Sequence, residues 1–173
     1  MTQDRSDATT EARDQLNLIL SFFPRVDTKA SVVLAVNTGM LAVLASNAPP
    51  IRIFTILPAT VAAVAVVMIA ASLWFLYRVA FPELRGGQQS LIFFREIANR
   101  TEAKFIDEFL SQDSPARLRD LLGQVWRNSE ILKMKFDSLR VAFILMALAI
   151  IPWVVSVAIF ASLHNLSGSP ILR

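Results

Sequence analysis

The chain has 173 residues, 54% of them hydrophobic and 18% charged, with one histidine and no cysteine. A soluble domain this small covers much of its surface with polar side chains, so the composition argues against an ordinary soluble fold. The lack of cysteine excludes a disulfide framework, a zinc–thiolate site and a thiol nucleophile. An isoelectric point near 9.8 points towards nucleic acid, but the net charge is only +3. That is thin support for such a partner, and none is expected.

Residues 1–29 are polar and contain five acids. They lack the basic start and apolar core of a secretory signal, so the first apolar run is expected to stay as an anchor. Residues 1–10 have few apolar side chains and are expected to be weakly ordered at most. From Glu11 onward Ala12, Leu16, Ile19 and Phe23 recur at helical spacing. Pro24 either ends that helix or opens the next at its first position. Arg25 and Lys29, four apart, share a face just before the first apolar run, where they snorkel or meet a phosphate.

Three apolar runs follow, at 30–48, 53–77 and 141–163, with 19, 25 and 23 residues. At about 1.5 Å per residue each can cross a hydrocarbon core of about 30 Å. Buried core helices of a soluble protein are the alternative, and three such runs in so short a chain speak against it. The expected class is an all-α membrane protein: three transmembrane helices with a cytoplasmic helical hairpin between spans two and three. The segment 78–140 carries eleven of the seventeen lysines and arginines, whereas the link 49–52 and the tail 164–173 carry Arg52 and Arg173 alone. The positive-inside rule therefore puts 1–29 and 78–140 in the cytoplasm, and the link and tail outside. Trp74 and Tyr77 fall where an aromatic belt is expected at the inner end of span two.

After span two, Phe81-Pro82 and Gly86-Gly87 break the helix. Leu91, Phe94, Ala98, Phe105 and Phe109 predict one amphipathic helix ending near Asp113. Ser114 is the predicted cap of the next helix, with Pro115 at its first position. There Leu118, Leu122, Val125, Leu132, Phe136 and Leu139 form a heptad stripe, with Ser129 at the skipped step. Such a stripe suits helix-to-helix packing and marks the expected seam of a homo-oligomer. Neither glycine nor proline lies between Gly123 and Pro152, so this helix is expected to run on into span three.

The chain has no P-loop, dinucleotide turn, nucleophile elbow or His-Glu-x-x-His, and no metal site, cofactor or catalytic residue is expected. Asp107 and Glu108 read as solvated surface, and His164 as an interfacial residue. The runs contain no Asp, Glu, Lys, Arg or His, which argues against a proton-coupled transporter. Asn37 with Gly39 marks either packing between the chain's own spans or a self-association or pore face. Pro152 should kink span three, as a gate or as mere shape. The basic residues of 78–140 read either as solvated faces drawn to anionic lipid or as an anion pocket.

Arg25-Val26-Asp27-Thr28-Lys29-Ala30, leading into a span with Asn37, resembles the Asp-x-Lys-Ala entry of small bacterial Pycsar transmembrane effectors. Phe81-Pro82 with Ser90-Leu91-Ile92-Phe93-Phe94-Arg95-Glu96-Ile97-Ala98 is similar to that family's second stretch. Lys133 to Ala142 is similar to its lead into the last span, with Phe136 where tyrosine is common. The resemblance spans about Leu16 to Phe160. It implies a role in antiphage defence at the bacterial inner membrane. A partner pyrimidine nucleotide cyclase would supply the activating ligand, a cyclic pyrimidine mononucleotide (cCMP or cUMP). The effector would then impair the lipid bilayer and abort infection. The rival reading is a non-lethal anchor or scaffold that recruits a cytoplasmic partner. A ligand with one phosphate and a flat base needs a cation and an apolar wall. Lys29, Arg95 and Arg140 are the candidate cations, and Phe93 and Phe94 the candidate wall.

Overall fold

A computed structural model describes residues 2–49, 55–81, 87 and 89–167. Among them there is no strand, and five helices follow in order: α1 (Thr2–Asn47), α2 (Ile56–Ala80), α3 (Phe94–Ala98), α4 (Glu102–Ser111) and α5 (Ser114–Ser167). α1, α2 and α5 are long and apolar enough to cross a membrane. The protein is thus an all-α membrane protein with three apolar spanning helices. Residues 50–52 of the expected link, the start of the second run at 53–54, the breakers Pro82 and Gly86, and the tail from 168 lie outside the described residues. Two compact units divide the chain: Met1–Val26 with Pro82–Phe136, and Asp27–Phe81 with Asp137–Arg173.

α1 continues through Pro24, where the sequence suggested a boundary. The physical reason is a seam that ignores the proline. Ala12, Leu16, Ile19, Phe23, Val26, Ala30, Val33, Asn37, Met40 and Leu44 alternate in steps of four and three, and every one is buried or half-buried. This is the spacing by which helices pack side by side. Pro24 is exposed, so its ring stays off the seam while its missing N–H fails only the Leu20 carbonyl.

In the apolar unit, α1 meets α2 and α5 through small and apolar side chains. Ala65, Ile69, Ser72, Leu76 and Val79 of α2 are buried, as are Ala142, Met146, Ala149, Ser156 and Phe160 of α5. Small residues at such contacts let backbones approach closely, which is what holds helices together in lipid. Trp153 Nε1 donates to the Met40 carbonyl at 2.8 Å and ties α5 to α1. Outward faces are apolar too: Val32, Val67, Ile151 and Val154 are well exposed, as a bilayer-facing surface requires.

The other unit departs from expectation in three places. First, the helix predicted from Leu91 to Phe109 is two helices, α3 and α4, split at Asn99–Thr101. Thr101 caps α4, its Oγ1 accepting from the Lys104 N–H at 3.4 Å. Second, α5 is capped by Asp113 rather than Ser114: the Ala116 N–H donates to Asp113 Oδ1 at 2.8 Å. A carboxylate there also complements the helix dipole. Third, the heptad stripe does not all face one way. Leu118 and Val125 pack with Ile92 on a core of Ala12, Leu16 and Leu121. Leu122 and Phe136 are 51% and 40% exposed. In the other unit Leu139 is buried, and Leu132 is half-buried in this one. The side chains turned inward lie one step away from the stripe, at Leu121, Gln124 and Lys135.

Candidate functional site

The segment 89–93 folds against α5 through polar contacts. Ser90 Oγ accepts from the Ile92 N–H at 3.1 Å and the Phe93 N–H at 3.0 Å, closing a turn that leads into α3. The same oxygen accepts from Gln124 Nε2 at 3.0 Å. One turn earlier on α5, Asp120 Oδ2 accepts from the Leu91 N–H at 2.8 Å. Gln89 has a positive φ of 64°, and its N–H donates to Glu96 Oε2 at 3.0 Å. A non-glycine residue in this region is conformationally costly and is held by its surroundings.

Between this segment and α5 lies a cleft of about 610 Å³, lined by Gly87, Gln89, Ser90, Gln112 and one face of α5. That face is Ala116, Arg119, Asp120, Gly123, Gln124 and Arg127, a set recurring at helical steps of three and four. The volume is that of a small-molecule site. Gly123 opens it, since a Cβ there would meet nothing within 4 Å. On the opposite wall, a Cβ at Gly87 would lie 3.5 Å from Arg127 Nε and from Gln124 Nε2. Asp120 gives one carboxylate oxygen to Leu91, and neither Arg119 nor Arg127 forms an ion pair with another described residue. Two guanidiniums, carboxamides and a hydroxyl around a space of this size suit a small anion with a polar planar group.

None of the five residues expected to grip a ligand lines this cleft. Arg95, Phe93 and Phe94 sit in the same unit, at the start of α3, with the two rings 4.9 Å apart. Lys29 and Arg140 belong to the apolar unit. Of the residues expected in packing or a pore, Asn37 is fully buried within the apolar unit, donating through Nδ2 to Ser72 Oγ at 2.8 Å. Gly39 faces outward. Pro152 lies within α5, which continues past it to Ser167. The sequence places Arg119 and Arg127 only among the many basic residues of 78–140 that could form an anion pocket, and it does not single out Gly123 or Gln124. A lone glycine inside the helix, flanked four residues away on each side by arginine, is the signal that points to them.

The family model described as the Pycsar effector protein domain, PycTM, matches residues 11–162. The chain belongs to that family. The match takes in α2, α3 and α4 whole and most of α1 and α5, so the cleft and nearly all of the apolar runs fall inside it. Family membership carries the role of a Pycsar effector in antiviral defence, acting at a membrane. No curated protein and no solved structure matches the chain.

Proposed function

We infer that this protein is a non-enzymatic membrane effector switched by a cyclic pyrimidine mononucleotide, cCMP or cUMP, released by a partner cyclase during phage infection. Binding in the cleft leads to loss of inner-membrane integrity and abortive infection. The observation that supports this most is the placement of the cleft. Its two arginines, neither in an ion pair with another described residue, stand on α5, and the later residues of that one helix form an apolar span. Arg127 and Arg119 would hold the cyclic phosphate, and Gln124 with Ser90 would meet the edge of the base. Segments 1–29 and 78–140 then face the cytoplasm, where the cyclase product appears. Binding must favour the permeabilising state by several kcal/mol to turn a silent protein into a lethal one.

Purified protein in dye-loaded vesicles, challenged with cyclic UMP, CMP and AMP, tests this reading. A pyrimidine nucleotide should release dye, and Arg127→Ala should raise the concentration needed at least tenfold, the scale of one charge-assisted contact. A second reading draws on the exposed Leu110 and Trp126: an anchor whose exposed apolar side chains recruit a protein partner. It predicts binding of that partner with no release of dye by any cyclic nucleotide.

A further inference from the structure

Asn37 is the one polar side chain on the α1 seam between Val26 and Leu44, and it is fully buried. Its Nδ2 donates to Ser72 Oγ at 2.8 Å, and Ser72 Oγ donates to the Ala142 carbonyl at 2.8 Å. This chain of two hydrogen bonds joins α1, α2 and α5 inside the apolar unit. A serine hydroxyl has a single proton. Ser72 uses it on Ala142 and can only accept from Asn37, which fixes the amide with Nδ2 towards Ser72. Asn37 Oδ1 is left buried with no partner, alone among the buried side-chain polar atoms of the described residues. In hydrocarbon an unmet acceptor is costly, because no water reaches it.

We propose that Asn37 is a hydration latch. In the silent state its amide nitrogen ties the three helices together. Its amide oxygen lacks a partner there and gains one when the seam parts and water enters. An interaction present in only one of two states biases the equilibrium towards that state. The seam is therefore held by one end of the amide and primed to open by the other. The proposal rests on the effector reading for what opens the seam, and on the geometry of Asn37 alone for how the seam responds. A polar residue at a single seam position can instead serve only to fix helix register, and the two roles differ in outcome.

The chain has no cysteine, so a thiol placed in the seam reports water directly. Val33, one turn from Asn37 and buried, is the site for Val33→Cys in full-length protein in vesicles. Its reaction with a membrane-impermeant thiol reagent should speed up at least tenfold when cyclic UMP or CMP opens the protein. Adding Asn37→Leu should abolish that acceleration and raise the heat-denaturation midpoint in micelles. Adding Ser72→Ala, a small deletion that strands Nδ2 as well, should speed labelling without nucleotide and lower the midpoint. A lower midpoint for Asn37→Leu with dye release intact would assign Asn37 to register and overturn the latch. So would a Val33→Cys thiol that stays unreactive while the vesicles leak. The order of midpoints needs no nucleotide. A wild type that never leaks would sink the effector reading, and that order would still decide the latch.

Discussion

Arg100 holds three acceptors at once: the Glu96 carbonyl at 2.6 Å, the Ser90 carbonyl at 3.2 Å and Glu108 Oε2 at 2.7 Å. Its side chain is only 10% exposed. It clasps the C-terminal end of α3, the cleft segment and α4, and so explains why one predicted helix became two. Arg100→Ala strands those acceptors and should lower stability by about 1–3 kcal/mol, seen as a reduced denaturation midpoint and faster proteolysis between α3 and α4. Gly123 gives the contrasting case. Gly123→Leu should be neutral or stabilising by up to about 1 kcal/mol, since leucine suits a helix better than glycine and the space is open. It should nevertheless abolish nucleotide-triggered dye release by filling the cleft; an unchanged response would place the ligand elsewhere. At this scale the sequence was uneven in what it disclosed. Asn37 stood out because polar residues are rare in the runs. The cleft did not, because Ser90 and Gln124 are 34 residues apart and no spacing rule links them.

At the scale of elements, local rules identified helices well and their joints less well. Ala12, Leu16, Ile19 and Phe23 gave the start of the α1 seam, and Pro24 stopped the reading although the step pattern continues to Leu44. Tertiary packing on both sides of the proline overrides its propensity, as it commonly does in helices held by neighbours. Pro24→Ala restores an N–H for the Leu20 carbonyl and should stabilise the protein by about 1–3 kcal/mol, measured as a raised midpoint in micelles. A fall would mean that the proline's geometry, rather than the seam, sets the path of α1. The α5 cap shifted by one residue for a simple reason. In Asp113-Ser114-Pro115 both of the first two side chains can cap, and only the carboxylate at Asp113 reaches the Ala116 N–H.

For the whole molecule, the bilayer made the class legible, since its thickness demands long uncharged runs and these show in any window of the sequence. The orientation proposed for the segments rests on charge alone. Segments 1–29 and 78–140 together carry fifteen of the seventeen lysines and arginines, against one each in the link 49–52 and the tail 164–173. The aromatic ladder of Trp74, Tyr77 and Phe81, with centroids 5.8 and 4.7 Å apart, closes α2 at the same end as this charge. Reporter fusions after residues 29 and 110 should therefore read cytoplasmic, and a fusion after 163 should read external, because three crossings are odd in number. The proposed orientation rests on a basic excess flanking the spans, so it should respond to charge in a graded way. Adding three or four lysines to the link 49–52 opposes its export and should produce a mixed or inverted population at the 29 and 163 fusions. Added aspartates should leave the readings unchanged, since acids contribute little to orientation. A cytoplasmic signal at the 163 fusion of the unaltered chain would remove the three-crossing arrangement. The helices would keep their lengths, but one apolar run would then lie along the interface instead of through it.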